Sequence, residues 1–350
     1  MASSDINTTT FRDLMVNLKT FLDSKIVPGG SLSSVRRVYQ GAALNVPKFP
    51  VIVLIPFSAE YGEATNAWET PGVSDTFSSS PYQEVKYNVT IQIYTQSLKS
   101  RSAYKSAIGI LNTIKNLLHQ TSPGDAFDFI PSAQGAIRDV EIVDQTFGKP
   151  NKYKGGFLQR ATLELSFLCY HDLWIKNTPR ASVESPVSEY QDVQMKEVEE
   201  ELVKAIKDIK SIVSKSSPKQ NWVYLQKVTG VDEGIMTPTA KFPRVYVTAE
   251  SEDEDRTMTG LNQLNREFDI DIITKQIPKK DSILDCMGIT EELIQGLNVY
   301  LLKSNPGLGG RLINHSIQGV EYGQIRTNNL SLYASTLNFR GTSLQPRLAS

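Results

Sequence analysis

The stretch KFPVIVLIP at residues 48–56 and the stretch KFPRVYVTAE at residues 241–250 open in the same way, with Lys-Phe-Pro running into branched apolar residues. Such residues favour a half-buried strand. A shared tripeptide alone is weak evidence, so the fold is decided by whether its surroundings recur. Upstream of the first stretch, TFRDLMVNLKTFLDS sets Phe11, Leu14, Met15, Leu18, Phe21 and Leu22 at helical spacing behind a capping threonine. Upstream of the second, MKEVEEELVKAIKDIKSIV does the same with Met195, Val198, Leu202, Ile206, Ile209 and Val213. Downstream, Val85, Tyr87, Val89, Ile91 and Ile93 alternate with polar residues, and so do Phe268, Ile270 and Ile272. Each alternation predicts a strand with one buried face.

A second helix follows each time. SRSAYKSAIGILNTIKNLLH places Ala107, Ile108, Leu111, Ile114, Leu117 and Leu118 on one stripe, and SILDCMGITEELIQGLNVYLL is its counterpart. Two strands close each half, and short echoes persist to the end: ATLELSF at 161–167 against ASTLNF at 334–339. Six elements therefore recur in the order α-β-β-α-β-β. The expected fold class is α+β: two tandem copies of one domain, each a mainly antiparallel sheet packed by two helices. The domains are placed at residues 1–175 and 194–350. The Ser- and Pro-rich stretch 176–193 has little apolar periodicity and reads as a polar linker. At 350 residues the chain is long enough for two domains, each with its own core. The competing reading is that two unrelated domains share a common grammar of elements.

Composition narrows the function. Lys plus Arg number 37 against 38 for Asp plus Glu, so no basic excess advertises a nucleic-acid or anionic-membrane partner. The N-terminus has no secretory pattern, and no apolar run is long enough to span a bilayer. The expected setting is a cytoplasm, or something assembled there. Cys169 and Cys286 lie far apart in apolar segments and read as buried structural thiols.

Catalytic and metal-binding patterns are missing from the sequence. His119, His171 and His315 have no zinc-type spacing, and no G-x-S-x-G elbow occurs. The glycine cluster NPGLGGRL at 305–312 follows a helix, lacks the G-K-[ST] ending and precedes a strand, so it reads as a helix stop and turn. No enzyme activity, cofactor or metal is expected. Two loops remain as candidate assembly contacts. One is the acidic run at 250–256, with Glu250, Glu252, Asp253, Glu254 and Asp255, which lacks calcium-loop spacing. The other is the long loop at 61–81, with Tyr61 and Trp68. The plainer alternatives are a solvated acidic loop and aromatics folded back onto their own domain.

The element order, with segments such as YNVTIQIYTQS and FDIDIITKQ each leading into a helix, resembles the tail terminator, or tail completion, proteins of tailed bacteriophages. The resemblance covers each half separately, residues 9–172 and 195–341. It implies a structural virion protein, assembled in the host cytoplasm, whose subunits close into a ring on the finished tail tube. The ring halts polymerisation and offers a docking surface to the head. The implied partners are further copies of the chain, the tail tube protein, and tail sheath and neck or head-completion proteins. Neither a membrane nor specific nucleic-acid binding is implied, although genomic DNA passes through such rings. Two copies in one chain depart from the familiar pattern and leave the ring open between three chains and six. The alternatives are another neck or head-to-tail joining protein and, in a different class, a small-ligand-binding regulatory protein.

Overall fold

The computed structural model describes residues 10–41, 48–65, 82–119, 137–172, 194–215, 223–236, 241–256, 261–275, 282–301, 307–326 and 331–346. The chain divides into two compact units, Met1–Lys176 and Asn177–Ser350. The segment read as a linker, and the part of the aromatic loop that holds Trp68, lie outside the described residues.

Unit 1 begins with α1 (Phe11–Ser24), capped by the Thr10 hydroxyl accepting from the Asp13 N–H at 3.1 Å. Such a cap satisfies one of the unpaired donors of the first turn. Strands β1 (Arg37–Gln40), β2 (Val51–Thr65) and β3 (Tyr82–Ser97) follow, then α2 (Ser100–His119), β4 (Ile137–Phe147), β5 (Asn151–Tyr153) and β6 (Gly156–Asp172). β1 runs parallel to β2, and β2, β3, β6 and β4 pair antiparallel in that order. β5 extends the β4 side of β6 as a short hairpin. Period-2 alternation on β3 sends Val85, Tyr87, Val89, Ile91 and Ile93 into the core beneath the helices, all five buried. Phe11 of α1 stacks on Tyr87 with ring centroids 4.6 Å apart. Thr95 donates to the Ala103 carbonyl of α2 at 2.7 Å, which seats that helix on the same face.

Unit 2 reads α3 (Met195–Lys215), a short 3-10 turn at Leu225–Lys227, β7 (Gly230–Glu233), β8 (Arg244–Arg256), β9 (Leu261–Lys275), α4 (Ser282–Val299), the single turn α5 (Gly307–Gly310), β10 (Asn314–Arg326) and β11 (Ser331–Pro346). β7 runs parallel to β8, and β8, β9, β11 and β10 pair antiparallel in that order. Phe268, Ile270 and Ile272 are buried beneath α4, where the Cys286 thiol lies 3.5 Å from the Ile272 carbonyl. Both cysteines are buried, and burial pushes the Cys169 thiol up to about 12 and Cys286 to about 11. These are packing residues.

The units share one topology, and each is α+β with a mainly antiparallel sheet. The two Lys-Phe-Pro stretches occupy equivalent places in it. Phe49–Pro50 and Phe242–Pro243 are both cis peptides at the entrance to the strand. The Pro50 carbonyl accepts from the Arg36 N–H at 2.8 Å, and the Pro243 carbonyl from the Thr229 N–H at 2.7 Å. At the far end of each short parallel strand a glycine with positive φ, Gly41 or Gly234, donates back to Leu54 or Val247. The recurring tripeptide thus marks a recurring hydrogen-bonded junction.

Several expectations are corrected. The six-element order omits β1, β5 and β7, which are too short to show a period. Residues 61–65, expected in a loop, are the end of β2. Residues 250–256, expected as an acidic loop, belong to β8, where the pull of pairing with β9 outweighs the poor strand propensity of Asp and Glu. The glycine cluster is a turn as expected: Leu308 and Gly309 are left-handed. At Gly307, itself at φ 56°, any Cβ would strike the Leu312 carbonyl that follows the turn.

Candidate functional site

The register fixes which side chains face away from the helices. In unit 1 these are Glu60, Glu84, Asp139, Glu141, Asp144 and Glu164, set against Arg37, Lys86 and Arg160. Asn88, between them, donates to Ser58 Oγ at 3.0 Å and to Glu60 Oε1 at 2.8 Å. In unit 2 the same face carries Asp253, Glu267, Asp269, Asp271 and Glu321, set against Arg244, Lys275 and Arg340, with Glu250 at a bulge in β8. Burial, then the neighbouring carboxylates Glu250, Asp271, Glu321 and Glu267, push Asp269 up to about 6. Thr336 donates to Asp271 Oδ1 at 2.6 Å across the β9–β11 pair. One end of this face is instead apolar, with Tyr246, Ile273 and Leu332 buried beneath Met236 and Phe242. Each sheet is therefore packed by helices on one side, and on the other carries more carboxylates than basic side chains.

The candidate contact residues separate into distinct environments. Tyr61 is half-buried on β2, opposite Val85. Glu250, Asp253 and Glu254 are exposed on β8, and the side chain of Asp255 lies outside the described residues. Glu252 differs from them. Its carboxylate accepts from Arg266 Nε at 2.6 Å, and Arg266 is almost wholly buried and also donates to Ser343 Oγ at 2.9 Å. Glu252 is thus the counter-charge that makes burial of Arg266 tolerable, which a run of acidic letters does not reveal. A second carboxylate missed in the sequence is Glu292 of α4, which accepts from the Tyr224 and Leu225 N–H groups at 3.0 and 2.6 Å and ties down the 3-10 turn. Its signal is invisible without the fold, because the donors lie 67 and 68 positions away.

Among the described residues, no three His, Cys, Asp or Glu side chains converge to hold a metal ion, and no helix is long and apolar enough to cross a membrane. His315 is half-buried and stacks on Phe339, and burial lowers its pKa.

No protein-family model matches the chain, and no curated protein matches it. Among solved structures, a chain of the virion of a native gene transfer agent (GTA) particle is similar at 17% identity, over 41% of this chain and 94% of that one, with a TM-score of 0.25. At that score the likeness carries no argument about the role of this chain.

Proposed function

We propose that this chain is a non-enzymatic structural protein of a phage-type virion, built from two copies of one domain, which closes into a ring on the end of the tail tube. The ring stops tube growth and presents its other axial surface to the neck and head. The observation that carries the reading is the two-sidedness of both units, with helices on one face of each sheet and an excess of carboxylates over basic side chains on the other. A wall of this kind repels a polyanion, so DNA slides past it without being held. A basic lining would bind DNA and release it only at raised salt. Repetition of the two-sided unit within one chain supplies such a wall in duplicate, whichever number of chains completes the ring.

Electron microscopy of the purified chain, alone and mixed with tail tubes, tests the proposal. The expected result is rings, or caps at one tube end that stop elongation and reveal the symmetry. Dispersed particles that never engage a tube end would sink it. A metabolite that raised the melting temperature of such particles through linkage would move the reading to a ligand-binding regulator.

A further inference from the structure

Each unit has, among the described residues, a sheet edge whose outer side no strand covers. In unit 1, β4 and β5 pair with β6 on one side and with no strand on the other. In unit 2, β7 covers β8 only from Arg244 to Val247, so the outer side of β8 beyond Val247 has no strand partner. Open edges expose backbone N–H and C=O groups that another strand can satisfy, and proteins control such pairing with charge. The β5 end of the first edge and the open part of β8 carry opposite charge, while β4 itself carries Asp139, Glu141 and Asp144. The β5 hairpin sets Lys149, Lys152 and Lys154 around Tyr153, all three lysines exposed, on a tight turn in which Lys154 and Gly155 both have positive φ. The open part of β8 carries exposed Glu250, Glu252, Asp253 and Glu254.

We propose that the lysine edge of one copy, residues 149–153, pairs with the carboxylate edge of the next copy, residues 250–254. The proposal rests on the ring reading and names the lateral contact within it. Like charges repel, so neither segment pairs with its own kind, and opposite charge favours the match between the two. The matching edges lie on different units, so the contact is head-to-tail. Such contacts close into a ring when the rotation between copies closes, and otherwise run on as a filament.

Charge reversal on the full chain tests this contact. Asp253→Lys with Glu254→Lys reverses the acidic edge and spares Glu252, which Arg266 requires. Lys149→Glu with Lys152→Glu reverses the basic edge. Circular dichroism and melting check that each variant folds, and sedimentation velocity over a concentration series reads association. The native chain is expected to associate more weakly as salt rises. Each reversal is expected to raise the association midpoint on the order of tenfold or more. Both reversals in one chain, or an equimolar mixture of the two variants, are expected to restore association. Association that survives either reversal, or that the combined reversal fails to restore, overturns the edge pairing. If rings still cap tubes in that case, the ring reading stands without it. A native chain that stays monomeric at every concentration also overturns the pairing, and the tube-capping experiment then decides the ring reading separately.

Discussion

In unit 1 the opposed pair Tyr87 and Phe167 on β3 and β6 is roofed by Phe11 of the first helix. In unit 2 the opposed pair Phe268 and Phe339 on β9 and β11 takes the same place in the ladder, but His315 stacks against it from β10. Beyond Phe268 lies the buried Arg266 with its counter-charge Glu252. One topology therefore closes its core with an aromatic stack in one unit and with a polar arrangement in the other. The shared ladder sets where the core is. What finishes it is free to differ, provided that every buried charge has a partner.

The strongest way to break this comparison is to remove the shared element. Phe167→Ala and Phe339→Ala each take a fully buried ring from an equivalent site, and each is expected to cost about 3–5 kcal/mol. Chemical denaturation of the two variants measures this directly. Equal losses would mean that the two enclosures pack alike, and a clearly smaller loss for Phe339→Ala would mark the unit 2 site as looser.

Glu252→Gln probes the polar arrangement alone. The amide keeps an acceptor for Arg266 and loses the charge, so a loss of about 1.5 kcal/mol is expected, at the low end for a charged hydrogen bond because solvent reaches Glu252. The loss should persist at high salt, since Arg266 itself is buried. A smaller effect belongs to unit 1, where Thr10→Ala removes the helix cap and is expected to cost about 1 kcal/mol in thermal or denaturant melts.

A further expected effect is a pH dependence centred on Asp269 of unit 2. Asp269 titrates at about 6 in the fold, against about 3.9 in an unfolded chain. The folded form binds this proton more readily, so Asp269 contributes stability that grows as pH falls from above 6 towards 4. Asp232 acts in the opposite sense. Its hydrogen bond to Arg244 lowers its pKa, so the stability it contributes is present above the unfolded value and is lost as pH falls through the lowered one. Asp269→Asn should therefore flatten the rise between pH 6 and 4 and leave the acid limb unchanged. Melts across that range check it, and an unchanged rise in the variant would assign the effect to another group.

Much of the fold was legible because burial is periodic. Alternation on β3 and β9 and helical stripes on α1 and α3 follow from one buried face apiece, and these elements stand where the periodicity puts them. Within α2 the stripe shifts slightly: Ala103 and Ile110 are buried, and Ile108 is only half-buried. The candidate site was harder to read. Acidic residues 250–256 carry no strand signal of their own, and they extend because β9 lies beside them. Strands of three or four residues, such as β1, β5 and β7, span too little chain for a period to register.

The sequence by itself determined the α+β class, the repeated element order and the scarcity of catalytic motifs, since these depend on local pattern and residue type. Only the tertiary structure decided that the acidic run is a strand with an open side, that Glu252 serves a buried arginine while its neighbours face solvent, and that carboxylates outnumber basic side chains on one face of each sheet. Those properties belong to pairs of segments far apart in the chain. Hydrogen-bond pairing and burial assign them, and neither is a function of any one stretch alone.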